Sequence, residues 1–197
     1  METFLLFALQ SRMSRIDTIL YNVHAPFQNE SPERLKEISQ KIALPVHLML
    51  FNLDGNMNIA MSIRSAAVLG CSDVWIVGKR RYDARPEVGA KNYINVHKLD
   101  TITPTFFEEN NLQPILVEQG GTSLEEMNFK PLMKKSVCFI VGSESHGIPK
   151  DFLSHMKDSP RVSISQYGMI RSFNVSIAAS IVMYEFLKQW RNTRKDA

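Results

Sequence analysis

Short apolar runs that each stop at a turn residue, with stretches of helical period between them, recur along this chain and narrow its fold more than any other feature. Residues 46–53 are apolar and closed by Asp54-Gly55, residues 74–77 end at Gly78, and residues 137–141 end at Gly142. Shorter runs at 115–117 and 161–165 complete the set. Runs of this length, bounded by turn residues, read as buried strands. After the first of them Ile59, Ile63, Ala66 and Ala67 recur at helical spacing up to Gly70, and a long helix is expected from about Arg171 to Trp190. The stretch between Gly78 and residue 115 is polar and irregular, and no strand is expected there. Strands alternating with helices build a mostly parallel sheet, and its strands are apolar throughout because helices cover both faces. The expected fold class is therefore α/β. In such sheets ligands lie beyond the carboxyl ends of the strands, which directs attention to the loops after Leu53, Val117, Val141 and Ser165.

A chain of 197 residues with 44% hydrophobic content can bury one substantial core. We expect a single domain over residues 45–191, a helical extension over 1–44 and a basic tail over 192–197. In the extension Ser31-Pro32-Glu33 reads as a helix start, with proline at the first helical position. That extension could position RNA, steady a dimer or simply pack on the surface. The two cysteines, Cys71 and Cys138, each sit in an apolar stretch, which argues against a disulfide framework and for a reducing, cytoplasmic setting. Residues 4–9 are apolar but lack a preceding basic flank, so they make a poor signal peptide. No run approaches the roughly 18 apolar residues of a membrane span. The net charge of +3 suits a polyanion partner without demanding one. Basic residues gather at Lys79-Arg80-Arg81 with Arg85, and at Lys188, Arg191, Arg194 and Lys195. Either group could meet phosphates or be an ordinary solvated face.

On the last helix Phe173, Ile177, Ile181 and Tyr184 form one apolar stripe, and Val175, Ala179, Val182 and Phe186 form another. A helix apolar on most sides is buried on most sides. The sheet can cover one stripe, and a second copy of the chain is expected to cover the other.

Three polar clusters fall where strand ends should meet. The first pairs Asn58 with Arg64, near the start of a helix and nearly two turns on, where amides and a guanidinium could approach an anion. The second is Gly142-Ser143-Glu144-Ser145-His146-Gly147, whose glycines permit close backbone approach to a ligand. It lacks the Lys-Ser or Lys-Thr of a P-loop and the order of a dinucleotide fingerprint. His146 has no companions at metal-ligand spacing and reads as a loop histidine, so no metal site is expected. The third runs from Gln166 through Gly168, Arg171, Ser172 and Phe173 to Asn174 and Val175, where simple helix capping would account for one of Ser172 and Asn174 but not both.

Together these clusters resemble the three motifs of the SpoU/TrmH branch of the SPOUT methyltransferases. Asn58 and Arg64 match the first motif, Gly142-Ser143-Glu144 with Gly147 the second, and Ser172-x-Asn174 with Val175-Ser176-Ile177-Ala178 the third, in order and over about Pro45 to Trp190. The resemblance implies a parallel sheet ending in a C-terminal trefoil knot, which periodicity could not have suggested. It implies an RNA ribose 2′-O-methyltransferase that uses S-adenosylmethionine, needs no metal and works as a homodimer. Val117-Glu118-Gln119 and residues 168–174 look closest to enzymes that methylate the D-loop guanosine of tRNA. Carried over residue by residue, Val117, Glu118, Gly142, Ile164, Gly168, Ser172 and Phe173 would hold the donor. Asn58 would position the first loop or the ribose, Glu144 would tie that loop and Arg64 in place, and Ser172 and Asn174 would shape the donor pocket while capping the last helix. Arg64 would reach the opposite subunit's site. Phe173 stands where many relatives have leucine, a change of size only. An rRNA methyltransferase and an inactive RNA-binding relative remain open as alternatives.

Overall fold

The computed structural model describes residues 23–195 apart from Asn52, Lys79, Arg80 and Pro104. The apolar residues 4–9 and part of the first basic run therefore lie outside the described residues. Six parallel strands form one sheet in the order β3-β2-β1-β5-β4-β6, with β1 Val46–Phe51, β2 Asp73–Val77, β3 Asn95–Leu99, β4 Leu112–Ser123, β5 Ser136–Val141 and β6 Arg161–Ser163. The helices are α1 Pro32–Lys41, α2 Asn56–Val68, α3 Phe106–Glu109, α4 Lys150–His155 and α5 Val175–Thr193. Ser31 caps α1, its side chain accepting from the Arg34 amide at 3.2 Å, as the Ser-Pro-Glu start predicts.

The near-continuous apolar runs are the central strands, because both of their faces are covered. Leu48 and Leu50 of β1 turn towards Ile59 and Ile63 of α2 and Ala179, Val182 and Phe186 of α5. Met49 and Phe51 turn the other way, into a cluster with Phe107 and Ile148 and, at its margin, Phe152 of α4. That alternation is the two-residue period of a strand. Phe129, Phe139 and Phe186 are fully buried and meet edge to face at 5.6–5.8 Å. Each such ring contributes on the order of 2–3 kcal/mol by burial, and each edge contact adds about 1 kcal/mol. Cys71 and Cys138 are free thiols within this core, and burial pushes both well above the ordinary thiol range.

Three elements differ from the sequence reading. The polar stretch contains β3, an edge strand whose half-buried or exposed residues give no apolar run. Short, charged edge strands are how sheets avoid pairing with other chains. β4 is longer than 115–117 and slips register against β6, where Val117 and Thr122 both face Val162. The intervening residues bulge from the sheet, and at Gly121 a Cβ would lie 2.7 Å from the Arg161 carbonyl carbon. Finally, α5 begins at Val175 rather than near Arg171, because Asn174 is its N-cap. Among the described residues no helix is long and apolar enough to cross a membrane.

From β1 the chain steps outward through β2 to β3, and then builds the other half of the sheet on the far side of β1. The direction switches between β1 and β5, and in open α/β sheets ligands bind beyond the carboxyl ends of the strands at such a switch.

Candidate active site

The loop leaving β5 is folded back on itself. The Ser143 amide donates to the Gly147 carbonyl at 3.0 Å and the Gly147 amide returns the bond to Ser143 at 2.9 Å. Gly147 has φ +68°, a left-handed conformation in which glycine carries no penalty. Opposite it, a Cβ on Gly142 would lie 2.0 Å from the Gly147 carbonyl carbon and 2.1 Å from the Ile148 nitrogen, both backbone atoms that no rotamer change can clear. Gly142→Ala is therefore expected to cost at least about 3 kcal/mol and to open this loop. Chemical denaturation should show the loss, and a variant as stable as the parent would mean that the loop relaxes freely.

This turn presents Glu144 to the loop leaving β1. The Glu144 carboxylate accepts from the Asp54 amide at 2.8 Å, from the Gly55 amide at 3.3 Å and from the Asn58 side-chain amide. Asn58 lies in the first turn of α2, so one carboxylate gathers the amide-rich start of that helix. Through its oxygen Asn58 accepts from the Asn174 amide at 3.0 Å. Asn174 in turn accepts the Ser176 amide at 3.0 Å and the Ser176 hydroxyl at 2.6 Å. Glu144, Asn58, Asn174 and Ser176 thus form one hydrogen-bonded relay joining all three polar clusters of the sequence. Asp54, which the sequence showed only as a turn residue, closes a second tie by accepting the Ser145 amide at 3.2 Å.

Burial pushes the Glu144 carboxyl up, but the Asn58 side chain and the backbone amides around it outweigh burial and hold the group below the ordinary value of 4.5. A carboxyl depressed in the folded state stabilises the fold above about pH 4.5, and that contribution disappears as pH falls through its lower folded value. Glu144→Gln should then melt below the parent at neutral pH, with the gap narrowing as pH falls below the ordinary carboxyl value. Melting curves at several pH values check this, and a gap independent of pH would remove the carboxylate from the argument.

The third cluster leads into a long connection between β6 and α5. Residues 164–173 make no backbone-to-backbone hydrogen bond with the described residues, and Tyr167, Met169 and Ile170 are 80% exposed or more. Gln119, in the β4 bulge, donates its side-chain amide to the Arg171 carbonyl at 2.6 Å and so fastens this connection to the sheet. Its neighbour Glu118 stands 3.8 Å from the Arg161 guanidinium. Burial pushes the Glu118 carboxyl up and prevails over Arg161 and the Ile148 amide, which pull it down. Of the residues expected to hold a donor, Val117, Glu118, Gly142 and Ile164 are half-buried or partly exposed, whereas Gly168, Ser172 and Phe173 are exposed.

Two expectations need correction. Glu144 holds Asp54, Gly55 and Asn58 but not Arg64, which has no hydrogen bond or ion pair among the described residues. Six helical steps turn Arg64 about 120° from the face bearing Asn58, away from the relay of its own subunit. It stands instead among Met57, Met61 and Val68, all exposed. Ser172 does not cap α5, since Asn174 alone accepts from the first turn.

The SpoU rRNA methylase family matches residues 45–184, most of the chain and all three clusters. The chain belongs to that family. Membership places it among RNA methylases. This family member is 25% identical over 189 residues to a tRNA (guanosine(18)-2′-O)-methyltransferase of Borreliella burgdorferi, covering 91% of this chain and 84% of the relative. With an enzyme of the same name from Aquifex aeolicus it shares 24% over 162 residues, covering 80% and 75%. Its fold superposes on the Aquifex aeolicus TrmH/SpoU tRNA-modifying enzyme with a TM-score of 0.67 at 20% identity, covering 82% and 83% of the two chains. A SpoU methyltransferase of Streptomyces viridochromogenes, solved with AdoMet, gives 0.64 at 20% identity, covering 77% of this chain and 62% of that one.

The SpoU-family donor fits what residues 164–173 and the β4 bulge offer. An adenine needs amides and carbonyls for its edge and apolar contact for its faces, and this connection supplies uncommitted backbone groups beside Ile164 and Phe173. A Cβ at Gly120 or Gly168 would meet nothing within 4 Å, so both glycines border open space.

Proposed function

We propose that this protein transfers the methyl group of S-adenosylmethionine to a ribose 2′-hydroxyl of tRNA, with the D-loop guanosine as target, and that it does so as a homodimer in the cytoplasm. The observation that carries this reading is the Glu144–Asn58–Asn174 relay, which draws the loops of the three motifs into one crevice. The match to two tRNA (guanosine(18)-2′-O)-methyltransferases supports the substrate. Residues 45–191 would form the catalytic unit, with 1–44 as an appendage and 192–197 as a basic tail. The chain after β6 would pass through a preceding loop to complete the knot, bringing Ser172 and Phe173 alongside Val117, Glu118, Gly142, Ile164 and Gly168 around the donor.

When bound, the donor supplies a methyl group already activated by its sulfonium, so the protein has to align the ribose oxygen and help it lose a proton. Arginine, with a pKa above about 12, is a poor base. Arg64 would instead pair with a substrate phosphate and stabilise the negative charge growing on the 2′-oxygen. Its exposed position among apolar side chains suits delivery across a dimer interface, into the crevice formed by Glu144 and Asn174 of the other subunit. The dimer would form through α2 and α5, which pack side by side and leave Met57, Met61, Ile177 and Tyr184 exposed.

Mass-spectrometric mapping of 2′-O-methylation on bulk tRNA and on rRNA transcripts, each incubated with protein and donor, tests the proposal. A single methylated D-loop guanosine is the expected product. Modification of rRNA alone would transfer the activity to that substrate, and donor binding without methylation of either RNA would indicate an inactive relative.

A further inference from the structure

Away from the crevice, the β3 edge of the sheet and α1 enclose a cleft of about 690 Å³. Lys36 comes from α1, Lys91 from the turn before β3, His97 and Lys98 from β3 itself, and Tyr82 from the segment after β2. No aspartate or glutamate is among the described residues that line it. Two of the nearby carboxylates are already committed. Glu87, buried to 2% exposure, accepts the Tyr82 hydroxyl at 2.9 Å and pairs with Lys91 at 3.3 Å. Asp73 pairs with His97 at 2.8 Å, and the His97 ring stacks on Trp75. The Lys98 ammonium stands 5.1 Å over the Tyr82 ring. A cation held in place by a ring loses less rotamer freedom when it meets an anion. The cleft thus carries two lysines, Lys36 and Lys98, that make no ion pair among the described residues, the second held over a ring.

We propose that this cleft is a second RNA contact, binding backbone phosphates of the substrate away from the ribose that is methylated. The inference rests on the methyltransferase reading for its choice of polyanion. Position favours RNA over a compact acidic partner. β3 runs parallel to β1 two strands away, about 10 Å across the sheet. Lys98 lies next to the carboxyl end of β3, the same end of the sheet from which the Asp54 and Glu144 loops project. A polynucleotide with one ribose in the crevice can run on over the sheet edge into the groove. Phosphate contacts of this kind fix register and carry no base identity.

The test is a double charge reversal, Lys36→Glu with Lys98→Glu, beside a Lys36→Arg, Lys98→Arg control. Both lysines are exposed, and a parallel Lys→Gln pair guards against misfolding by the reversal. The reversal should raise KM for tRNA at least about tenfold at moderate salt and lower the slope of log affinity against log salt by one to two. The kcat and donor affinity should stay within about twofold, and the arginine control should bind as the parent does. An unchanged KM and salt slope would overturn the proposal while leaving the methyltransferase intact. Filter binding of tRNA needs no turnover, so a parent protein that binds tRNA through the cleft yet methylates nothing would sink the enzymatic reading alone.

Discussion

Arg64→Ala is expected to lower methyl transfer at least about a hundredfold while leaving donor binding close to normal. The asymmetry follows from where Arg64 stands. It makes no hydrogen bond or ion pair among the described residues and takes no part in the Glu144–Asn58–Asn174 bonds, so its removal disturbs no relay. On the proposed mechanism, what disappears is a cation facing the acceptor oxygen, whose value is realised only as charge develops there. Single-turnover rates with saturating tRNA, together with calorimetry of the donor, separate the two quantities. Full turnover in the variant would remove Arg64 from the chemistry, and lost donor binding would make it a structural residue. The same variant reports on geometry when co-expressed with Asn174→Ala. If Arg64 serves the partner's crevice, half of the dimers are mixed and each has one complete site, so roughly a quarter of parental activity returns. Action within one subunit would return none.

Why some of this was visible in the sequence and some was not has a physical basis. The central strands β1, β2 and β5 announce themselves because both faces of a parallel strand must be apolar, and Val46 to Phe51 and Val137 to Val141 satisfy that condition. β3 does not, because an edge strand with exposed His97 and Lys98 carries the pattern of a loop. The β4 bulge escapes for a different reason: the apolar run stops at Val117, whereas the strand slips past β6 through polar residues and glycines and continues to Ser123. In the site, Glu144, Asn58 and Asn174 could be singled out as polar residues at strand and helix ends. Their mutual hydrogen bonds, and the tie from Asp54 to Ser145, depend on distances between residues about ninety or more positions apart and have no local trace. Gln119 is the clearest case, since only the folded chain shows that its amide grips the Arg171 carbonyl.

Placing charges on the open face of α5, as Ile177→Asp with Tyr184→Asp, is expected to yield a monomer that has lost at least about a hundredfold in methylation while remaining folded. The two faces of the helix have separate tasks. Ala179, Val182 and Phe186 are fully buried against the sheet and hold α5 in its own subunit. Ile177 and Tyr184, 47% and 64% exposed, lie two turns apart on the opposite stripe and are not needed for that core. Beside them α2 exposes Met57 and Met61, so both helices carry exposed apolar side chains of a kind that a partner can cover. An aspartate forced into such a largely apolar interface would be desolvated, which costs more than the contact contributes. Sedimentation should then show one chain per particle with unchanged far-ultraviolet circular dichroism. The activity loss is expected because the proposed mechanism has Arg64, on the same α2 surface, serve the partner's site, which a monomer lacks. A monomer with full activity would separate catalysis from assembly, and a persistent dimer would place the interface elsewhere on the molecule.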